Sequence, residues 1–582
     1  MTTRRLGVLA ALSLSTACAS KNIESKPAST DENSGEDGTD GSDAPPPELR
    51  FTMDSPSNGT FRSNNKVEAS GTWSGGLDGS ASVNGEDVGG EGDWSMDTSH
   101  QDTLWPDSPL WPVMGSAQDS TGQWVRARAT LIHGESTDTT APMPAGLVLR
   151  LTDELLLDLG PQIDDIVAGL DLDALLVSAG PVWADFGAEI YVSGASIGTV
   201  AADLDFQSSG LHYVLTADDL VVFIDIDLGL LGSYPTEVNV QTVEVAGDLV
   251  FGTSAGSLTA TPANTAVSTV GLEVFGFEDT FGLIDGFLGD TLATTIEDQL
   301  VGAIDGLLDA QDALRVLEFS GMQILSDFTS ATHDNAGVNV YAESTLAADG
   351  LDLGQRLTTD GGFTAPSGTE SPSGVPYQAA LLLDDDLLSA IGAALPATGL
   401  LDQSIEGDAL GSLSLDTSLL GGIIPGFDQL PAGQPVSLHT RPTAPMVGAP
   451  GSGEIAAELH LGGLEIDFLT DQDGDGSDDV VMTVVIDAIV GITGGEEGAL
   501  VDIVLIDSQS MLLSTSLDTT PEAVEPGLDT LISLAVPALV GGLVGDALAF
   551  DLGGIGITVV DGSAVGDRAG LFLDLDISGL EL

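Results

Sequence analysis

Residues 144–159, with the sequence PAGLVLRLTDELLLDL, contain the pattern that sets the expected fold. Leucines recur in it every four residues, the spacing of one face of an amphipathic α-helix: Leu147, Leu151, Leu155 and Leu159. A second long helix is predicted over about 283–317, with an apolar face made of Phe287, Leu292, Ile296, Leu300, Ile304 and Leu308. Between and around such helices, segments in which apolar and polar residues alternate predict strands. This part of the chain is therefore expected to be a helix-and-sheet unit.

The same order of elements is predicted again over about 378–548. Its opening helix has Leu387, Leu388, Ile391 and Leu395, and its closing helix has Leu531, Leu534, Leu539, Leu543 and Leu548. Period-two alternation or β-branched enrichment predicts strands at Glu189–Val192, Gly210–Leu215, Val221–Leu228, Glu237–Val245, Val338–Leu346, Gly453–Leu461, Val480–Ala488 and Gly556–Val560. A duplicated unit this rich in aliphatic side chains points toward lipid. The alternative is that each apolar stripe only packs a core.

Composition excludes one class of partner. The 582-residue chain has a net charge of −76, yet hydrophobic residues make up 42% of it, so most of it is expected to fold into several domains. Beyond Arg150 there is no lysine, and the remaining arginines are Arg315, Arg356, Arg441 and Arg568. Such a surface repels phosphate backbones and anionic head groups, which excludes nucleic acid. The acidity by itself is typical of salt adaptation or general solubility.

Residues 1–18 are predicted to be a lipoprotein signal peptide. Arg4 and Arg5 precede the apolar run Leu6–Leu14, and the sequence before Cys18 resembles a lipobox whose leucine, Leu14, stands one place too far upstream. Acylation of Cys18 would anchor an exported protein in the cell envelope, and Ala19 favours the outer membrane in the bacterial families that this signal resembles. The alternative is an ordinary signal peptide. Because Cys18 is the only cysteine, a disulfide in the folded part is excluded.

Two segments precede the duplicated region. Residues 19–48 are rich in Ser, Gly, Asp, Glu and Pro and predict a disordered linker that acts as a flexible tether. Residues 49–136 hold five of the six tryptophans among short alternating segments bounded by turn signals, which predicts a β-sandwich. The order of turns and strands resembles bacterial immunoglobulin-like modules, whose usual role is as a spacer or in adhesion.

The duplicated region resembles bactericidal/permeability-increasing protein (BPI) and its relatives in the tubular lipid-binding (TULIP) superfamily. The resemblance rests on 144–151 as the opening of a long helix, on Tyr377–Leu401 as the helix that opens a second domain, and on Leu528–Leu548 as a closing helix with the strands that follow it. It implies an α+β fold of two BPI-like barrels, 141–350 and 377–582, in which long helices are wrapped by twisted antiparallel sheet and joined by a central sheet. The disulfide and the cationic tip of the mammalian members are missing here, so an antibacterial role is not implied.

The resemblance further implies that each barrel holds bound lipid, a phospholipid or another acyl lipid, in an apolar pocket. The residues expected to line these pockets are Leu151, Leu155, Ile296, Leu300, Ile304, Leu388, Ile391, Leu539 and Leu543. Each buried methylene gains about 0.8 kcal/mol, so a pocket that covers a dozen of them could hold a lipid.

Residues 471–479, DQDGDGSDD, predict a structural calcium site. The oxygen-bearing residues alternate with turn-forming glycines, as in the first half of an EF-hand loop: Asp471, Asp473, Asp475, Ser477 and Asp479. Position twelve of that loop is Met482 instead of a bidentate Glu. The alternative is a solvated acidic turn.

Signals for catalysis are weak. Gly194–Gly198 matches the nucleophile-elbow pattern around Ser196, but a strand is predicted after it where that motif requires a helix. The six histidines show no metal-ligand spacing, and the chain is not expected to be an enzyme. The sequence therefore predicts a lipid-anchored envelope protein that binds or transfers lipid. The alternatives are a non-catalytic surface scaffold or adhesin, and a secreted esterase that uses Ser196.

Overall fold

The computed structural model describes residues 49–582 except 76–78, 101–104, 106–107, 169–180, 186–187, 275–276, 279–293, 295–300, 303, 305–311, 320, 349, 360–364, 400, 407–414, 473, 475, 495–500, 534–555 and 577–582. The chain divides into two compact units, 1–46 and 47–582, and the described residues all belong to the second. The predicted signal peptide and linker, with Cys18, lie outside the described residues.

The N-terminal part consists of two small sheets that share a core. The first has the order β1 (Arg50–Ser55), β3 (Lys66–Ser74), β6 (Gly92–Ser99). The second has the order β2 (Thr60–Arg62), β8 (Trp124–His133), β7 (Leu110–Gln118), β4 (Ser80–Val83), β5 (Glu86–Asp87). Apolar residues alternate along these strands and meet between the sheets, where Phe51 stacks on Trp94 at a centroid distance of 5.3 Å.

An eight-stranded antiparallel sheet follows in the first half of the duplicated region. Its main path is β11 (Pro181–Asp185), β12 (Ala188–Ser196), β14 (Gly210–Asp227), β15 (Ser233–Ser254), β17 (Glu273–Val274), β18 (Phe277–Glu278). In addition, β13 (Val200–Gln207) pairs with β14, and β16 (Ser257–Val270) pairs with β15.

A central seven-stranded sheet joins the two halves. Its order is β19 (Val316–Phe319), β20 (Met322–Asp334), β21 (Gly337–Ala348), β10 (Met143–Thr152), β23 (Ala379–Asp384), β31 (Arg568–Asp576), β30 (Gly556–Val565). Each strand of the central β10–β23 pair leads into a helix, and each is flanked on its outer side by a hairpin: β21 and β20 beside β10, and β31 and β30 beside β23. The two halves thus contribute equivalent strands in mirrored order around one antiparallel pair.

The second half has a six-stranded sheet. Its path is β24 (Gln403–Ile405), β25 (Ser437–Pro442), β27 (Ala457–Thr470), β28 (Asp479–Gly494), β29 (Val501–Thr515), and β26 (Val447–Pro450) pairs with β27. A two-stranded ribbon of β9 (Glu135–Asp138) and β22 (Gln355–Thr358) completes the strands.

The N-terminal sandwich is packed against the six-stranded sheet. Arg128 on β8 forms an ion pair with Asp487 on β28, and both side chains are buried. Trp105 donates from Nε1 to Asp507 Oδ2 over 2.8 Å, and Ser108 Oγ lies 2.9 Å from His460 Nδ1. These contacts hold the sandwich on the body of the protein.

The predicted α+β class with long helices wrapped by sheet is wrong. Strands make up 62% of the described residues and helices 14%. The α-helices whose bounds are described are short: α1 (Asp153–Ala168), α2 (Asp385–Ala394), α3 (Thr417–Gly421) and α4 (521–533). Residues 294, 301, 302 and 304, within the second predicted helix, are also helical. Single 3-10 turns occur at Gly229–Leu231, Asp312–Arg315, Leu395–Thr398 and Phe427–Gln429. No helix in this part of the chain is both long enough and apolar enough to cross a membrane.

The error in the first predicted helix has a simple cause. A spacing of four is also a multiple of two, so the leucines from Leu147 to Leu151 fit a strand as well as a helix. They lie in β10, which pairs with β21 on one side and β23 on the other, and the helix begins only at Asp153. The predicted end of the second helix, at Leu317, is likewise a strand. Most of the rest of that helix, and 534–548 of the last one, lie outside the described residues.

Candidate functional site

Helix α1 is fixed across the eight-stranded sheet by its own carboxylates. Asp153, its first residue, accepts a 3.0 Å hydrogen bond from the Phe206 amide, and Asp164 accepts one from the Ala202 amide, both on β13. Burial raises the pKa of the Asp153 carboxyl. The helix therefore lies along β13, and Leu155 and Leu159 on its buried side face the sheet.

One face of the sheet, here called the inner face, is lined by apolar side chains along β14 and β15. Alternate residues of each strand point to it, and both strands, which are described in full, place no charged residue on it between Leu211 and Ile226 or between Thr236 and Phe251. At Asp219, whose φ is 55°, the alternation changes by one residue while the register with β15 stays the same, so that Leu220 and the alternate residues after it lie on the same face. The buried members are Leu211, Tyr213, Leu215, Leu220, Val222, Ile224, Val238, Val240, Val243, Val245, Leu249 and Phe251.

The inner face is longer than the helix that lies on it. The 18 residues of β14 extend about 60 Å at 3.3 Å per residue, whereas the 16 residues of α1 extend about 24 Å at 1.5 Å per residue. Asp164, near the end of α1, is bonded to Ala202, which stands opposite Leu215. The described part of α1 therefore ends near the middle of β14.

Beyond that point lies a second apolar stretch, here called the distal face. Cross-strand pairs form it: Leu220 with Val240, Val222 with Val238, and Ile224 with Val192. These six side chains are buried. The next pair outward, Ile190 with Ile226, is only half-buried, so the face becomes more open toward the end of the hairpin.

The predicted lipid-lining residues that the structure describes all belong to one large apolar cluster. Leu151, Leu155 and Ile304 are buried in it in the first half, with Leu151 on β10 instead of a helix. In the second half Leu388 is buried and Ile391 is half-buried on α2. The others, Ile296, Leu300, Leu539 and Leu543, lie outside the described residues.

In the second half, α2 packs on the sheet with backbone contact. Ser389 Oγ donates to the Gly448 carbonyl over 2.8 Å, and a Cβ at Gly448 would lie 2.4 Å from the Leu388 Cβ. A similar contact joins Gly392 to the Met446 carbonyl, which a Cβ would approach to 2.8 Å. Leu388 therefore fills space directly against β26.

Three consecutive carboxylates, Asp384, Asp385 and Asp386, meet at the start of α2. Asp384 caps the helix by accepting from the Asp386 amide over 3.1 Å, and its Oδ2 lies 2.7 Å from Arg568. Arg356 lies 2.8 Å from Asp386. Burial raises the pKa of Asp384 to about 7 and raises that of Asp385, and burial lowers the pKa of Arg568. With two guanidinium groups already present, the cluster acts as an ionic joint between β23, β31 and the ribbon.

The predicted calcium loop is only partly described, since Asp473 and Asp475 lie outside the described residues. Asp471 accepts hydrogen bonds from the Gly474 amide over 2.8 Å and the Gly476 amide over 3.1 Å. Asp479 is exposed at the first position of β28. The Asp471 carboxylate therefore stabilises the turn, and calcium binding stays a prediction.

The residues considered for catalysis lie apart. Ser196 is the exposed last residue of β12, opposite Val221, and the chain continues into β13 at Val200. The six histidines include one pair that sequence reasoning did not connect: His100 stacks on His133 at 4.4 Å, and the pKa of His133 is lowered by burial and by His100. Both belong to the sandwich.

Sequence reasoning also missed the distal face. The segments that form it were predicted as strands, but the lipid site was placed on helices alone. The signal was present in Leu220–Ile226 and Val238–Val245, where aliphatic residues alternate without a charge on the inner side. Assigning this apolar face to a sheet would have required these two segments to be paired across the hairpin.

No protein-family model and no curated protein sequence matches the chain. Solved structures do match. A crystal structure of a lipopolysaccharide binding protein is similar to this chain at 15% identity and a TM-score of 0.39, over 74% of this chain and 98% of the other. P47 of Clostridium botulinum E1 matches at 10% identity and a TM-score of 0.22, over 74% and 99% of the two chains. P47 of Clostridium botulinum A2 matches at 10% and 0.23, over 74% and 97%.

At these identities and TM-scores the comparisons assign neither a function nor a ligand to this chain.

Proposed function

We propose that the protein binds an acyl lipid along the inner face of the eight-stranded sheet, with the chain lying on the distal face. One observation carries the proposal: the inner face runs along β14 and β15 as an uncharged, largely aliphatic surface from Leu211 to Ile226. An acyl chain is the ligand that such a surface fits, because the surface offers contact area and no directional polar group.

The energetics are adequate for a stable complex. Each methylene removed from water gains about 0.8 kcal/mol, so twelve of them gain about 10 kcal/mol before the cost of immobilising the ligand. That cost is at least about 4 kcal/mol. A lipid with long chains would therefore remain bound during purification, whereas one with short chains would exchange.

The wider role follows from the N-terminal sequence. A chain acylated at Cys18 would hold the lipid-binding sheet at a membrane of the cell envelope, within the reach of the 19–48 linker. In this proposal the protein takes up or delivers phospholipid or another acyl lipid at that membrane. The competing proposal is a scaffold or adhesin, which predicts no bound lipid.

The test is mass spectrometry of lipid extracted from the natively purified protein, together with uptake of a fluorescent fatty acid by the delipidated protein. About one or two lipids per chain are expected. Val222→Phe would fill the distal face and reduce uptake, at a stability cost of about 1–3 kcal/mol for overpacking. The matched control is Val221→Phe, because Val221 is the adjacent residue of β14 and points to the opposite face.

The two variants separate the lipid site from general damage. If both bind the probe as the unsubstituted protein does, and the purified protein holds no lipid, the distal face is ordinary core and the proposal fails. Thermal unfolding of both variants, followed by circular dichroism, verifies that each is folded under the conditions of the uptake assay.

A further inference from the structure

The hairpin that joins β14 and β15 ends in an ordered loop with exposed apolar side chains. Here 228–234, with the sequence LGLLGSY, is called the hairpin tip. Leu230 is fully exposed, Leu231 is 73% exposed and Tyr234 is 53% exposed. Large apolar side chains at the end of a long hairpin are not covered by the rest of the sheet, so they stay in contact with solvent.

The loop has a defined conformation. The Leu228 amide donates to the Gly232 carbonyl over 3.0 Å, and Asp227 Oδ1 accepts from the Gly229 amide over 2.8 Å. Gly229 and Gly232 have φ values of 64° and 91°, which favour glycine and close the 3-10 turn. Tyr234 donates from its hydroxyl to the Leu231 carbonyl over 3.1 Å. The backbone hydrogen bonds are therefore satisfied within the loop, while the leucine side chains point into solvent.

The tip lies far from the described end of α1. From Leu215, near the described end of α1, to Leu228 there are about 13 residues of extended chain, or about 43 Å at 3.3 Å per residue. From Leu228 to Thr236 no residue is charged. Behind this uncharged segment stand four carboxylates on the paired strand ends: Asp225, Asp227, Glu189 and Glu237.

We propose that the hairpin tip inserts into an electrically neutral lipid surface and that the four carboxylates behind it limit the depth of insertion. A narrow protrusion with three exposed apolar side chains is too small for a stable protein interface, which needs about 800 Å² from each partner. A lipid surface accepts a few apolar side chains at the level of the head groups, and a tyrosine hydroxyl is favourable there. The charge on the carboxylates and on the whole chain favours zwitterionic over anionic head groups.

The insertion does not depend on a lipid bound at the inner face, so the two proposals can fail separately. The test is flotation of the full-length Cys18→Ser chain with phosphatidylcholine vesicles; that substitution removes any acyl anchor. The unsubstituted tip is expected to bind these vesicles more tightly than vesicles containing phosphatidylglycerol. In Leu230→Ser/Leu231→Ser, binding to phosphatidylcholine is expected to fall at least about tenfold, since two leucine side chains no longer enter the lipid.

The matched control is Leu157→Ser, because Leu157 on α1 is 70% exposed but lies toward the other end of the sheet. It is expected to leave vesicle binding unchanged. A dye attached to Cys at position 233, in Ser233→Cys/Cys18→Ser, should shift its emission on vesicle addition. Equal binding by the double variant and the control, or tighter binding to the anionic vesicles, would overturn the inference. Loss of vesicle binding with fatty-acid uptake retained in solution would support it.

Discussion

Replacement of Asp334 by Asn should weaken the junction between the two halves more than its partly exposed position suggests. Arg150, near the end of β10, is completely buried, and its guanidinium forms two parallel hydrogen bonds of 3.0 Å with the two oxygens of Asp334. Its remaining donors reach the Gly368 carbonyl at 3.0 and 3.1 Å. Asp334 is therefore the counter-charge of a guanidinium that has no access to water.

The loss of unfolding free energy in Asp334→Asn follows from the interactions with Arg150 that an asparagine retains and those that it lacks. An amide oxygen retains one of the two hydrogen bonds and provides no charge. Removing one partner of a buried pair costs about 3–5 kcal/mol, and a hydrogen bond to a charged group is worth about 1.5–3 kcal/mol. Because Asp334 is one-third exposed, water compensates part of the loss, so a decrease of about 3 kcal/mol in the free energy of unfolding is expected.

The measurement is urea denaturation followed by circular dichroism, with the change in midpoint evaluated at constant slope. Asp327→Asn is the matched control, since Asp327 is 74% exposed and pairs with Arg315 over 3.2 Å; its expected effect is below about 1 kcal/mol. Arg150→Met/Asp334→Asn should be more stable than Asp334→Asn alone, because the uncompensated charge is gone. Equal destabilisation by Asp334→Asn and Asp327→Asn would refute the reasoning.

Three further predictions concern other parts of the molecule. Since the pKa of Asp384 is raised from 3.8 to about 7 by burial, its contribution to stability is complete below about pH 4 and is lost as the pH rises to about 7. Asp384→Asn should therefore flatten the decline of the unfolding free energy over this range, and an unchanged slope would contradict it. Gly448→Ala should cost about 1–3 kcal/mol through contact with Leu388, while Gly252→Ala, whose new Cβ would lie 3.8 Å from Thr259 Oγ1, should not. Millimolar calcium should raise the thermal midpoint of the unsubstituted protein but not that of Asp479→Asn, and an equal rise with both would point to a different site.

Much of the strand content was predictable, because Val221–Leu228, Glu237–Val245 and Val480–Ala488 have the period-two pattern of half-buried strands. Their lengths were not. The long strand β14 contains Asp219 in a left-handed conformation, where the alternation changes phase, so the hydrophobic pattern predicts an end of the strand at that point. The left-handed backbone conformation of a single aspartate cannot be predicted from the hydrophobic pattern of the sequence.

The helices were the least predictable part. Both Leu147 and Leu151 fit either period, and the decision between strand and helix is made by the neighbours β21 and β23, which lie far away in sequence. The lipid-binding residues were consequently placed on helices, and the distal face was left out. An apolar strand face can line a cavity or pack against a helix. Which of the two occurs depends on the length of the element opposite the strand, and the sequence of the strand alone does not show that length.

The antiparallel pair β10–β23 has a consequence for the order in which the chain can fold. Synthesis makes β10, then β21 and β23, and only much later Arg568–Asp576, the strand that covers the other edge of β23. Until then the segment Ala379–Leu383, five aliphatic residues in extended conformation, has an open edge able to pair with another chain. A nascent or truncated chain without β31 would thus expose an aggregation-prone strand at the centre of the sheet.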